Sequence, residues 1–141
     1  NFLLRYDLED LVTVNLDPCS CGETHRRLFY DGRVSDAVPV LIDGGTRVRE
    51  VLPIDAALLL YDFPELVKPS VEYQLVRPKE PTPSLKIRVE CASEDAALVA
   101  RLQKAVTDAF RERLGVAADV DMLARGALPR FDYKAARVVS A

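Results

Sequence analysis

Three charged side chains lie far apart in the chain but suit one chemistry: Asp10, Arg33 and Lys134. A carboxylate at a strand end can accept from the two hydroxyls of a ribose. An arginine forks onto phosphate or sugar oxygens. A lysine is a mobile point charge fitted to an oxyanion that develops during reaction. Each residue type is more often a surface charge, so the trio means something only if the fold unites it. A second candidate cluster is Cys19-x-Cys21 with His25 four residues on, and Cys91 as a further thiol. Zinc normally takes four tetrahedral ligands. Three local ligands are an incomplete set, and a tight turn around Gly22 accounts for the same residues. A single histidine gives no support to Ser-His-Asp or Cys-His machinery. Gly44-Gly45 falls between two strands and not before a helix, so it is no phosphate loop.

Bulk properties narrow the setting. The 141 residues suit one domain, or one domain with a small attached piece. Apolar content of 49% and charged content of 29% are ordinary for a globular fold. A net charge of −3 without a basic run argues against a nucleic-acid surface. No apolar run approaches a membrane span, and Asn1-Phe-Leu-Leu-Arg5 is no signal peptide. Three cysteines are too few for a disulfide scaffold and fit a reducing, cytoplasmic setting. The abrupt apolar start without Met suggests a cut within a longer protein.

The elements that would position these residues follow from periodicity. Residues 2–16 read as extended, with Leu11, Thr13 and Asn15 alternating with Val12, Val14 and Leu16. Asp17-Pro18 ends the strand, Cys19-Ser-Cys-Gly22 turns, and Arg26–Tyr30 returns as the second arm of a hairpin. Asp31-Gly32 is another turn signal, and Gly32-Arg-Val-Ser-Asp36 a compact polar joint. Val38–Ile42 and Thr46–Val48 flank the Asp43-Gly44-Gly45 turn. Ile54–Tyr61 is a short helix, with Ile54, Leu58 and Tyr61 on one face, the apolar face that packing would bury. Tyr73–Val76 is a strand. Leu85–Cys91 alternates without a break, which predicts one buried and one wet face; it could form an edge, although its Lys and Arg oppose edge pairing. Ser93 caps a long helix with Glu94 and Asp95 in its first turn and a buried stripe of Leu98, Leu102, Ala105/Val106, Ala109/Phe110 and Leu114, stopped by Gly115. Asp119–Leu123 is the last strand, and Gly126 onward is loop and tail. The expected fold class is α+β: a small, mostly antiparallel sheet with two helices on one face, preceded by a short β-hairpin segment.

Five short stretches, in order along nearly the whole chain, resemble the C-terminal part of the adenylate-forming (AMP-binding) ligases, in the phenylacetate–coenzyme A ligase and coenzyme F390 synthetase-like branch. They are Arg5-Tyr-Asp-Leu-Glu-Asp10-Leu11; Asp17-Pro-Cys-Ser-Cys-Gly22; Gly32-Arg-Val-Ser-Asp36; Phe63-Pro-Glu-Leu66 with Tyr73-Gln-Leu-Val76; and Gly126-Ala-Leu-Pro-Arg130 through Lys134-Ala-Ala-Arg-Val138. The resemblance implies a ligase that activates a carboxylic acid with ATP and Mg as an acyl adenylate and passes the acyl group to a thiol, coenzyme A in most members. It implies residues 1–32 as the end of a large N-terminal domain, 33–36 as a hinge and 37–141 as a mobile lid. Asp10 would hold the ribose hydroxyls, Arg33 would contact ribose or phosphate, and Lys134 would be catalytic. Ser35 and Asp36 would form the hinge, and Gly44 and Gly45 would line the thiol's path. The acyl pocket and most Mg and ATP contacts would lie in the N-terminal domain, the lid's expected partner, so this stretch alone would be inactive. Ser35 stands where the family has Asp, and Tyr133 where it has Gly; a lid turned binding or regulatory module is the alternative reading.

Overall fold

The computed structural model describes residues 7–66, 70–130 and 136–141. Their elements are β1 (Asp10–Asn15), β2 (Arg27–Arg33), β3 (Val38–Ile42), β4 (Arg47–Val51), α1 (Pro53–Leu60), β5 (Tyr73–Arg77), β6 (Leu85–Cys91), α2 (Ala96–Leu114), β7 (Ala118–Ala124) and β8 (Val138–Ser140). The class is α+β. The pairs β1–β2, β3–β4 and β5–β6 are antiparallel; β6–β7 and β5–β8 are parallel. No helix among the described residues is long and apolar enough to cross a membrane.

A four-stranded sheet in the order β7-β6-β5-β8 organises the core. Leu85, Ile87, Val89 and Cys91 occupy alternate positions of β6 and are all buried. They join one cluster with Ala56, Leu59 and Leu60 of α1 and Leu102, Val106 and Phe110 of α2. β6 is therefore central and not an edge, and its Lys86 pairs across to Asp121 of β7 at 3.5 Å. Its second face is not uniformly wet, because Glu90 is buried as well. β8 replaces the tail expected there: three residues are too few to show alternation, and the partner β5 supplies the order through Leu75↔Val138 and Arg77↔Ser140.

The core face of α1 is the reverse of the expected one. Ile54, Leu58 and Tyr61 are exposed at 40, 60 and 57%, while Ala56, Leu59 and Leu60 are buried. Apolar residues run almost all round Pro53–Leu60, so spacing selects no face, and contact with α2 and the sheet decides. Pro53 opens the helix where its missing N–H is no loss, and Asp55 Oδ2 accepts from Leu52 N at 2.9 Å. At α2 the cap is Asp95, not Ser93. Asp95 Oδ1 accepts from Ala97 N at 2.9 Å, and Ser93 Oγ accepts from Asp95 N at 3.1 Å one step earlier. Gly115 ends α2 in the left-handed region, φ 65°.

The first hairpin is shorter than expected. Residues 1–6 lie outside the described residues, and β1 begins only at Asp10. The Asp7 side chain accepts from Glu9 N at 2.8 Å, and Glu9 has φ 56°, a local turn that delays the strand. Asp31-Gly32 is no turn but the site of a bulge within β2. β3 and β4 pair from Val38↔Val51 to Ile42↔Arg47. Their 3₁₀ connection, Asp43–Gly45, has φ 69° at Gly44 and 91° at Gly45, which glycine adopts without strain. Leu41 N donates to Thr82 O at 2.8 Å, tying this hairpin to the loop before β6.

Candidate functional site

Asp10 and Arg33 meet across the hairpin. From Asn15 to Val12 the pairing runs Asn15↔Arg27 to Val12↔Tyr30; past the bulge it becomes Leu11↔Gly32 and Asp10↔Arg33. Asp31 is the extra residue, and its carboxylate accepts from Thr13 Oγ1 at 2.7 Å. Arg33 Nε stands 3.5 Å from Asp10 Oδ1, with the Asp10 side chain 27% exposed and that of Arg33 51%. Asp10 Oδ1 is buried and receives no hydrogen bond among the described residues. A buried carboxylate oxygen without a donor is costly, and the pair leaves acceptor capacity beside a guanidinium. That donor and acceptor set fits a ribose hydroxyl pair with a nearby phosphate.

The joint follows at once. Val34–Asp36 forms a single 3₁₀ turn, so Gly32 and Arg33 belong to β2 and the joint proper is shorter than the sequence suggested. Val34 N donates to Glu9 O at 2.9 Å on the hairpin side. On the other side Arg77, the last residue of β5, donates through Nη2 to Ala37 O at 3.0 Å and to Ser35 O. The Ser35 and Asp36 peptides are thus held between the hairpin and the end of a central strand. Asp36 also lines a concavity of about 510 Å³ with Tyr30, Ile54, Tyr73 and Arg137.

Lys134 lies outside the described residues, but the chain on both sides of it is fixed. Upstream, the buried Glu90 carboxylate accepts from Gly126 N at 2.9 Å, Leu128 N at 2.7 Å, and Arg130 Nη1 and Nη2 at 2.9 and 2.6 Å. The Arg130 hydrogen bonds hold Glu90 at about 2, overcoming its burial, and the Gly126 and Leu128 amides add to that. Downstream, Arg137 Nη1 donates to Glu72 Oε2 at 2.9 Å and to Tyr73 O at 3.2 Å, and its guanidinium sits 4.7 Å from the centroid of the Tyr73 ring. Tyr73 is buried, which pushes its phenol up to about 12, and its hydroxyl donates to Pro53 O at 2.7 Å. Gln74 Nε2 donates to Ala136 O at 3.4 Å.

The remaining candidates fall elsewhere. Gly44 and Gly45 line a separate concavity of about 450 Å³ with Leu41, Pro83, Gly115 and Ala117. The Cys19 and Cys21 sulfurs are 2.8 Å apart, and Gly22 N donates to Cys19 O at 3.0 Å to close the turn. The Cys19 contact, then a hydrogen bond from the Glu23 backbone, lowers the Cys21 thiol. His25 points to Glu23, 3.9 Å away, with its side chain 86% exposed. Cys91 belongs to the core. Among the described residues no three His, Cys, Asp or Glu side chains gather as metal ligands.

Sequence reasoning missed Arg77, Glu72, Glu90 and the anchoring roles of Arg130 and Arg137. One signal for Glu90 was available: an acid directly before Cys91 on a strand otherwise reading as half buried. Its partners, 36 to 40 residues away, have no signature in spacing.

Residues 50–141 match the family model for the AMP-binding enzyme C-terminal domain, and the chain belongs to that family. 2-Hydroxyisobutyryl-CoA ligase, in the postadenylation state in complex with 2-HIB-AMP, superimposes with a TM-score of 0.76 at 26% identity, over 94% of this chain and 28% of that one. The same enzyme in complex with 2-HIB-AMP and CoA in the thioesterification state gives 0.57 at 25% identity, over 94% and 27%. A domain of phenylacetate-coenzyme A ligase from Bacteroides vulgatus ATCC 8482 shares the fold, with a TM-score of 0.54 at 22% identity over 72% of this chain and 91% of that one. The chain thus spans about 28% of the length of the hydroxyisobutyryl-CoA ligase chain. No curated protein matches it.

Proposed function

We propose that this chain is the C-terminal portion of an ATP-dependent acid–thiol ligase, which forms an acyl adenylate and transfers the acyl group to coenzyme A. The observation that carries this reading is the Asp10–Arg33 pair, seated directly before the Val34–Asp36 turn. Around that turn the reading divides the chain into 1–32, the end of a large domain; 33–36, the hinge; and 37–141, the lid.

In the adenylation step Asp10 accepts from the ribose hydroxyls, and Arg33 donates to ribose or phosphate oxygens while offsetting the Asp10 charge. Lys134 sits between the acid's carboxylate and the α-phosphate and stabilises the charge that develops at phosphorus. The ligase's own N-terminal domain supplies the acyl pocket and most of the ATP and Mg contacts. The lid then turns about Ser35 and Asp36, withdrawing Lys134 and bringing the Gly44-Gly45 face to the thiol. For 2-hydroxyisobutyryl-CoA ligase, nearly equal coverage with TM-scores of 0.76 and 0.57 in its two states supports two placements of the corresponding parts. The separate concavities at Asp36/Arg137 and Gly44/Gly45 suit two alternating faces. A cytoplasmic setting belongs to the same reading and fits the free cysteines.

The test is Lys134→Ala in the complete natural protein, followed by ATP–pyrophosphate exchange with a panel of acids that includes phenylacetate and 2-hydroxyisobutyrate. Exchange should fall by at least about a hundredfold. Exchange that survives undiminished would falsify the role of Lys134. A wild-type protein inactive with every acid would favour the second reading, a binding or regulatory module derived from such a ligase, which the Ser35 and Tyr133 departures support.

A further inference from the structure

We infer that Glu90 and Glu72 are positioning residues that fix the two ends of the segment carrying Lys134; the inference rests on the adenylation reading. Glu72, the residue just before β5, and Glu90 of β6 are neighbours, with Glu90 N donating to Glu72 O at 2.9 Å. Each holds one arginine. Glu90 takes Arg130, four residues before Lys134, and Glu72 takes Arg137, three residues after it. A single site where β6 meets the start of β5 therefore sets both points from which the lysine is presented.

The Glu90 side chain is only 4% exposed. Its four hydrogen bonds among the described residues all come from Gly126, Leu128 and Arg130. A buried charge is a poor device for stability alone, since an apolar side chain of like volume does as well or better. What the carboxylate adds is direction: two amides and a two-pronged arginine permit one path for residues 126–130. The Glu72 anchor is reinforced, because Arg137 also bonds Tyr73 O and lies over the Tyr73 ring, and Leu75 N donates to Arg137 O at 2.8 Å. A lysine acting on a developing oxyanion depends on placement, and an error of about 1 Å costs about a hundredfold.

The experiment uses the complete natural protein with Glu90→Gln, Arg130→Met, Glu72→Gln and the conservative Glu90→Asp. Its readouts are ATP–pyrophosphate exchange with the best acid of the panel, CoA transfer from supplied acyl adenylate, melting temperature, and hydrogen exchange at residues 126–130. Glu90→Gln should lower kcat for exchange by about a hundredfold with KM for ATP changed less than about threefold. CoA transfer should change less than about threefold, because Lys134 is withdrawn in that step. The Gly126 and Leu128 amides should lose protection, Glu90→Asp should recover part of the rate, and the Glu90→Gln/Arg130→Met double variant should be no slower than either single one. Glu72→Gln, at the other anchor, should show a weaker form of the same split. Exchange within about threefold of wild type in a folded Glu90→Gln protein overturns the inference; so does a parallel loss of both half-reactions that tracks melting. If the wild type shows no exchange with any acid, the adenylation reading itself falls; if Lys134→Ala keeps exchange, the role of Lys134 falls and the positioning inference with it. If Lys134→Ala abolishes exchange and Glu90→Gln does not, only the positioning role falls.

Discussion

Arg33 reaches Asp10 because β2 carries one residue more than β1 at Asp31. Without that bulge Asp10 would stand opposite Gly32, and Arg33 would continue beyond the end of the pairing. The bulge thus builds the proposed nucleotide contact one residue before the joint. Asp10→Asn keeps the shape and removes the charge. In the complete protein it should raise KM for ATP by about tenfold, the cost of one charge-assisted bond, and leave KM for the acid unchanged. Initial-rate kinetics in both substrates check this, and an equal rise in both constants would remove the ribose assignment.

Arg77 connects the joint to the lysine segment. Its guanidinium holds Ser35 O and Ala37 O, while its carbonyl accepts from Ala141 N at 3.0 Å and its strand pairs with β8, the continuation of the chain past Arg137. From Arg77 to Tyr73 the strand spans about 13 Å. Arg77→Met keeps the aliphatic stem and removes the donors. Stability should fall by about 1–2 kcal/mol in urea melts. Under the proposed function the Arg77 contacts hold the joint in the arrangement of the adenylation step, so adenylation should slow by about tenfold while CoA transfer from supplied acyl adenylate changes little. Slowing of transfer alone would reverse the assignment.

Local patterns carried most of the elements. The unbroken alternation of Leu85–Cys91, the Leu102/Val106/Phe110 stripe and the Gly115 stop are all written in neighbouring residues. What failed depended on partners remote in sequence. The core face of α1 is undetermined within Pro53–Leu60 and is set by α2 and the sheet. β8 exists only beside β5. For the site, residue types and order drew attention to Asp10, Arg33 and Lys134, but the register that joins the first two depends on a bulge that reads locally as a turn. The carboxylates that brace the lysine segment were hidden because a buried Glu on a strand looks like one more wet-face residue until its arginine is placed.

Two adjacent leucines test the reversed face of α1. Leu59 is 1% exposed and Leu58 is 60% exposed. Leu59→Ala should cost about 2–5 kcal/mol through lost burial and the cavity left among α2 and sheet side chains. Leu58→Ala should stay within about 0.5 kcal/mol in this chain. Denaturant melts of the two variants decide, and a larger loss at Leu58 would restore the face that spacing suggested.

The Glu90–Arg130 pair makes a pH prediction with a definite sign. Glu90 is held at about 2 in the fold against an ordinary 4.5, chiefly by the Arg130 hydrogen bonds. Because the folded value is depressed, the unfolded chain takes up the proton first as the pH falls. The contribution is fully present above about pH 4.5 and is lost between about 4.5 and 2. At neutral pH it is on the order of 3 kcal/mol. The stability difference between wild type and Glu90→Gln should be constant from pH 7 to about 5, then shrink steadily below 4.5. Arg130 stays charged throughout, so the change should follow one carboxylate, and Arg130→Met should flatten it. Urea melts of the three proteins across this range make the comparison. A difference that does not change with pH would mean that Glu90 acts by shape and not by charge.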